Sequence, residues 1–421
     1  MTAFEVIVIE ENISSLMTAC LLQHNGINTL IFENNKNTIS KVFESMYYWD
    51  PEKGALGVAL KKLGIDNTLI GKKVKYTDRL VLNDILLLRD SDCMMYFEKL
   101  KKLFPYNEEE IRRLFNDMQQ VSEEWIRLLN AGSVFTAGPL KQMMKFRNNT
   151  YVDYLEKNIK NNQLKELLML DCDKNNTAFV VIAGYVLSQI MDGYIVDDVD
   201  TVYSLLRDYF VNEGGEIIVD NYVSQITKED DRYLICDGNG NIFSSEIIVT
   251  PHTEKIFREK FFGEFLYNDL EDIETQYIII DGVLPNPNRD DLCVREKLYY
   301  VETNVKCILN VLITHNRLLI KVCSEDKLII YDDLINFICD KYKINSTKKI
   351  DIYDNDRLER EIGVSARKIQ GWEFDSKQMQ NNIMEIGSAS KGLYALGEWG
   401  CAFFTVAICA ANTIIKRRKR K

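Results

Sequence analysis

With 421 residues, 46% of them hydrophobic and 27% charged, the chain is globular in composition and long enough for two cores or lobes. A net charge of -11 argues against a general nucleic-acid binder, whose surface needs an excess of Lys and Arg. Ten cysteines without a C-x-x-C pair, and only three histidines (His24, His252 and His315), argue against a disulfide framework and a structural zinc site. Met1–Glu10 has neither a basic n-region nor a cleavage site, so a reduced, cytoplasmic protein is the expectation.

Phe4–Ile9 (FEVIVI) is a β-branched run of the kind buried in a parallel sheet. Asn12 offers an N-cap to a helix carrying Ile13, Leu16, Met17, Cys20 and Leu21 at helical spacing, with Gly26 at its C-terminal end. Thr29–Phe32 is a second buried strand that ends at Glu33. Strand, helix and strand in this span predict a βαβ unit with a right-handed crossover.

From Leu80 to Ser188 the pattern reads as helical and amphipathic, most clearly over Tyr96–Leu103 and Glu108–Leu129. A helix over Val202–Phe210 ends at Gly214–Gly215, and strands are predicted at Glu216–Val219 and Tyr222–Thr227. Arg232–Cys236 and Asn241–Phe243 flank an Asp237-Gly238-Asn239-Gly240 turn, a hairpin pattern, before a separate buried strand at Glu246–Thr250. Meander-like strands follow at Tyr277–Ile280, Leu298–Val301, Lys306–Thr314 and Arg317–Cys323, then a helix at Tyr331–Tyr342. Gly392–Gly397 is a last strand, and Ala402–Ile415 a last helix followed by a solvated basic tail, Lys416–Lys421.

Four separated segments in this order resemble the FAD-dependent phytoene desaturase and carotenoid isomerase group within the amine-oxidase-like flavoproteins. They are EVIVIEENISSLMTACLLQHNGINTLIFENN, DGYIVDDVDTVYSLLRDYFVNEGGEIIVDNYVSQI, the Asp237 hairpin leading into EIIVTP, and GLYALGEWGCAFFTVAICAANTII. The resemblance implies an α/β fold: a Rossmann-type FAD/NAD(P)-binding domain with a discontinuous α+β substrate (cap) domain. The first domain is expected from residues 1–79, 189–255 and 386–415, a helical cap lobe from 80–188, and an α+β substrate lobe from 256–385, with 416–421 as the tail.

The resemblance also assigns positions to a cofactor site, and this sequence departs from the family at most of them. The G-x-G-x-x-G turn, whose glycines permit the tight turn, the approach of the diphosphate and helix–strand packing, reads Glu10, Asn12 and Ser15 here. A carboxylate at Glu10 with Glu11 beside it would face that diphosphate. At an effective dielectric near 20, two unit charges about 4 Å apart repel by roughly 4 kcal/mol. Of the family's G-G-R only the basic residue, Lys41, is kept, and its second glycine pair falls at Asp197–Asp198. The closing glycine-rich turn falls at 401–406, where Phe403 and Phe404 are bulky. Glu33 keeps the acidic ribose position, Val223 the adenine-side strand, and Glu398 the acid after the final glycine. Trp49, Trp372, Tyr47 and Tyr48 read as core aromatics before cavity lining.

Two functional readings follow from the resemblance. One is a pseudoenzyme with no cofactor, a binding or scaffold subunit beside an intact flavoprotein homologue or an apolar ligand; Rab GDP-dissociation inhibitors, which resemble these flavoproteins and act by binding, are the precedent. The alternative is a working FAD-dependent desaturase or isomerase acting on an apolar or polyene substrate. Neither includes nucleic acid or a metal, and the basic tail adds an expected weak contact with a membrane surface.

Overall fold

A computed structural model of the chain describes residues 2–9, 12–33, 54–66, 72–73, 75–131, 137–172, 177–185, 194–195, 199–250, 275–282, 295–302, 305–313, 317–324, 331–344, 347–354, 357, 392–396 and 403–420. β1 (Thr2–Ile9), α1 (Ile13–His24) and β2 (Thr29–Phe32) come first, then α2 (Ala55–Leu63), β3 (Lys72–Lys73), β4 (Tyr76–Leu82) and β5 (Ile85–Asp90). Six helices follow: α3 (Cys93–Leu103), α4 (Glu108–Ala131), α5 (Lys141–Phe146), α6 (Tyr151–Asn158), α7 (Asn162–Met169) and α8 (Phe179–Tyr185). Next are β6 (Tyr194–Ile195), α9 (Val199–Asn212), β7 (Glu216–Ile218), β8 (Val223–Glu229), β9 (Arg232–Asp237) and β10 (Ile242–Thr250). The last stretch holds β11 (Thr275–Gly282), β12 (Arg295–Glu302), β13 (Val305–Ile313), β14 (Arg317–Ser324), α10 (Tyr331–Lys341), β15 (Thr347–Tyr353), β16 (Leu393–Ala395) and α11 (Phe403–Lys419).

The first sheet has the order β7-β2-β1-β10-β9-β8, with β16 continuing beside β10. β7, β2, β1, β10 and β16 are parallel, whereas β9 and β8 form an antiparallel flap on one edge. Both faces are covered, which is why Val6–Ile9 of β1 and Leu30–Phe32 of β2 read as unbroken apolar runs. Val6, Val8 and Ile31 pack on one face with α1, α2, α9 and α11, while Ile7, Ile9, Leu30 and Phe32 pack on the other with Val223, Ile226 and Tyr233.

The second sheet has the order β15-β11-β14-β13-β12-β4-β5 and is antiparallel except where β12 meets β4. One face carries α10; the other faces α3 to α8. Helix α4 joins the two cores, since Trp125 and Leu129 pack beneath the first sheet and Ile111, Leu114, Met118 and Val121 beneath the second.

Several boundaries differ from the sequence reading. The stretch read as helical from Leu80 opens instead with the β4–β5 hairpin, and β4 starts at Tyr76, inside the span assigned to the first domain. VLNDILLL fits either period, but Asn83, in the left-handed region (φ 49°), breaks it with a tight turn. The predicted strands at Asn241–Phe243 and Glu246–Thr250 are one continuous β10, and β15 was not foreseen. The last helix runs on through Lys419, four residues past its predicted end, so most of the basic tail is helical.

Gly215, which follows α9, is required by close packing: an added Cβ would lie 2.3 Å from the fully buried ring of Phe210. Gly215→Ala is therefore expected to cost about 1–3 kcal/mol by overpacking, read as a lower denaturation midpoint in urea. An unchanged midpoint would show that the ring yields without cost.

Candidate functional site

The nucleotide end of a doubly wound sheet lies where β1 turns into α1. Asn12 sits there in extended backbone (φ -132°, ψ 176°), so the position does not use the unusual φ that Asn tolerates. Its Oδ1 accepts from the Ser15 amide at 2.8 Å, and its own amide donates to Ser15 Oγ at 2.8 Å. Ser15 Oγ also donates to the Asn12 carbonyl at 3.0 Å. This reciprocal capping box satisfies donors that a helix start otherwise leaves open, and both residues are buried. Beside them Ser14 Oγ is fully buried with no hydrogen-bond partner among the described residues.

At the end of β2, the Glu33 amide donates to the Ile218 carbonyl, which fixes its backbone against β7. Its carboxylate is held by Arg207 of α9: Nη1 donates to Oε1 at 2.8 Å, and Nη2 lies 2.6 Å from Oε2 as an ion pair without hydrogen-bond alignment. Arg207 was missed from sequence. The meeting of Arg207 with Glu33 comes from the topology: α9 leads into β7, the neighbour of β2, and Arg207 follows the inward-facing Leu206.

Val223 is a core residue on β8, buried with Phe4, Ile7 and Tyr233. Glu10, Lys41 and Glu398 lie outside the described residues, as do Glu11, Asp197, Asp198, His252, His315, Trp49, Trp372, Tyr47, Tyr48 and the side chains of Phe403 and Phe404. The structure thus brings Asn12 and Ser15 together and gives Glu33 an internal cation. Among the described residues no group of His, Cys, Asp or Glu is arranged to hold a metal ion.

The second lobe holds a buried ionic network that the sequence reading also missed. Arg89, fully buried, donates Nη1 to Asp78 Oδ2 at 3.0 Å and pairs through Nη2 with Asp171. Arg295 Nε donates to Asp78 Oδ1 at 2.6 Å, and Lys297 Nζ lies 3.4 Å from Asp171 Oδ1. Strand parity placed these charges inward: Asp78 shares a face with Leu80 and Leu82, and Arg295 pairs with it in register. Burial alone pushes the Asp78 carboxyl up, but Arg295, Arg89 and Lys297 together overcome it and hold the pKa at about 2. Burial pushes the Lys297 ammonium down, against the pull of Asp171.

No family profile matches the chain, and no curated protein matches it. Solved structures do match across nearly the whole length. Putrescine oxidase with putrescine bound is 10% identical at a TM-score of 0.60, covering 100% of this chain and 99% of that one. An oxidoreductase from Methanosarcina mazei is 10% identical at a TM-score of 0.56, covering 99% and 100%. A Rab GDI from Plasmodium falciparum is 12% identical at a TM-score of 0.50, covering 84% and 89%. The chain has the fold of the FAD-dependent oxidoreductases. A Rossmann-type sheet with a substrate-binding lobe is therefore its architecture, and no helix among the described residues is long and apolar enough to cross a membrane.

In that flavoprotein fold the α1 N-terminus and the acid after β2 are the natural anchors of a dinucleotide. At both places the chain's own side chains already make bonds. The Asn12 side chain occupies the position where glycine permits close approach, and the Asn12 and Ser15 amides are already satisfied. Glu33 Oε1 already accepts from Arg207, whereas Oε2 accepts no hydrogen bond among the described residues.

The ionic network gives two stability tests. Removing one partner strands a buried charge, so Arg89→Met is expected to cost about 3–5 kcal/mol in denaturant unfolding; a loss under about 1 kcal/mol would show the network to be dispensable. Asp78 has a folded pKa of about 2 against roughly 3.9 unfolded. Its contribution is full above about pH 4 and disappears as pH falls through about 2. Asp78→Asn should flatten that part of the stability–pH curve, and an unchanged acid limb would contradict the assignment.

Proposed function

We propose that this flavoprotein-fold chain is a non-redox binding or scaffold subunit that does not seat FAD in the ordinary pose. It would work by holding a protein partner, such as an intact flavoprotein homologue, or an apolar small molecule in the substrate lobe. The observation that carries the reading is the engagement of both dinucleotide anchors by the chain itself: Asn12 with Ser15, and Glu33 with Arg207. Glu10 and Glu11 add negative charge in sequence next to that helix start. A structural neighbour that is a Rab GDI, named for a Rab partner and not for a reaction, is consistent with a binding role on this scaffold.

A second reading, an FAD-dependent oxidoreductase of the desaturase or isomerase type acting on an apolar or polyene substrate, is favoured by Ser14. A fully buried hydroxyl with no partner in the first turn of α1 is a group that a bound phosphate would satisfy.

Equilibrium dialysis against FAD separates the two. The native chain is expected to retain none, and Glu10→Gly/Asn12→Gly/Ser15→Gly to gain at least about tenfold in affinity, the effect of roughly 1.4 kcal/mol. Tight binding by the native chain, abolished by Ser14→Ala, would establish the second reading.

A further inference from the structure

We propose that the C-terminal end of α11 is a docking point for anionic membrane surfaces, set at the pole of the first domain opposite its nucleotide end. The helix does not fray before its basic residues: it is regular through Lys419, and Lys416, Lys419 and Arg420 are exposed while Arg417 is half-buried. Arg418 serves as a latch. Its Nη1 donates to the Gly26 carbonyl at 2.8 Å and reaches the Asn25 carbonyl at 3.4 Å, and its Nε lies 3.0 Å from Glu5 Oε1. Asn25 and Gly26 directly follow α1, so the basic end lies one helix length, about 18 Å for twelve residues, from the Asn12 end.

Cations at a helix C-terminus commonly serve the helix dipole, and Arg418 already does so for α1. Arg417, Lys419 and Arg420 exceed that need. Lys416–Lys421 add +6 to a chain of net charge -11, so the remaining residues carry -17. Such a body is repelled by an extended polyanion lying along it, and nucleic-acid sites are basic grooves or stripes, not one helix end. A flat anionic surface met end-on fits this distribution better, because it touches the basic helix end without lying along the rest of the acidic chain, and charges more than a Debye length of about 8 Å away are largely screened. Contact of this kind is superficial and leaves the Asn12 end of α1 on the far side from the lipid.

Vesicle flotation of the full chain is the test, comparing phosphatidylserine-containing with pure phosphatidylcholine vesicles. Binding should require phosphatidylserine, disappear at high salt, and fall about fivefold for each basic residue removed in the series from Arg420→Ala to Lys416→Ala/Arg417→Ala/Lys419→Ala/Arg420→Ala. Arg418 is kept throughout so that the latch survives, and thermal unfolding checks each variant. If the fourfold variant does not fold, the salt series on the native chain and Lys419→Ala/Arg420→Ala give the answer. Flotation that ignores lipid charge or the substitutions would overturn the proposal, as would tighter retention by single-stranded RNA than by the vesicles.

Discussion

A helix that begins inside a protein must find partners for its first amides, and this requirement governs the nucleotide end of the first sheet. In a dinucleotide-binding fold the ligand's diphosphate can meet it. Here Asn12 and Ser15 meet part of it within the chain: the Ser15 amide donates to Asn12 Oδ1, and the N-cap amide of Asn12 donates to Ser15 Oγ, each at 2.8 Å. Helix α1 therefore carries its own side-chain cap. The Glu33–Arg207 pair has the same character one strand away: a carboxylate suited to a ribose is compensated by a neighbouring helix.

The second lobe meets a different constraint, that of burying charge. Asp78, Arg89, Asp171, Arg295 and Lys297 come from β4, β5, the residue region after α7, and β12. They tie the parallel junction of the second sheet to the helices stacked on it. With three cations around two carboxylates, the network keeps Asp78 ionised despite complete burial. The lobe that encloses substrate in fold relatives has here an interior that is partly ionic, and α4 carries its core into that of the first sheet.

Much of this fold was legible in the sequence because local patterns and tertiary demands agreed. FEVIVI and TLIF are apolar on both faces and are buried on both faces; Asn12 precedes a helical period and caps it. Legibility failed where one pattern served two structures. VLNDILLL gave no period that excludes a helix, and the charges of β4, β5 and β12 look like solvated residues until strand parity is counted. Arg207 was invisible for another reason: its meeting with Glu33 depends on β7 lying beside β2, a fact of topology with no local trace. KRRKRK reads as a tail because charge usually frays a helix end, yet Arg418 finds carbonyls just past α1 that anchor the helix end.

The proposed non-redox role rests on the bonds of Asn12 with Ser15 and of Glu33 with Arg207. The absorbance spectrum of the full chain, purified from flavin-replete cells without denaturation, tests it most directly. A colourless protein with no visible flavin band is the predicted result. A yellow protein carrying one flavin per chain would contradict the account.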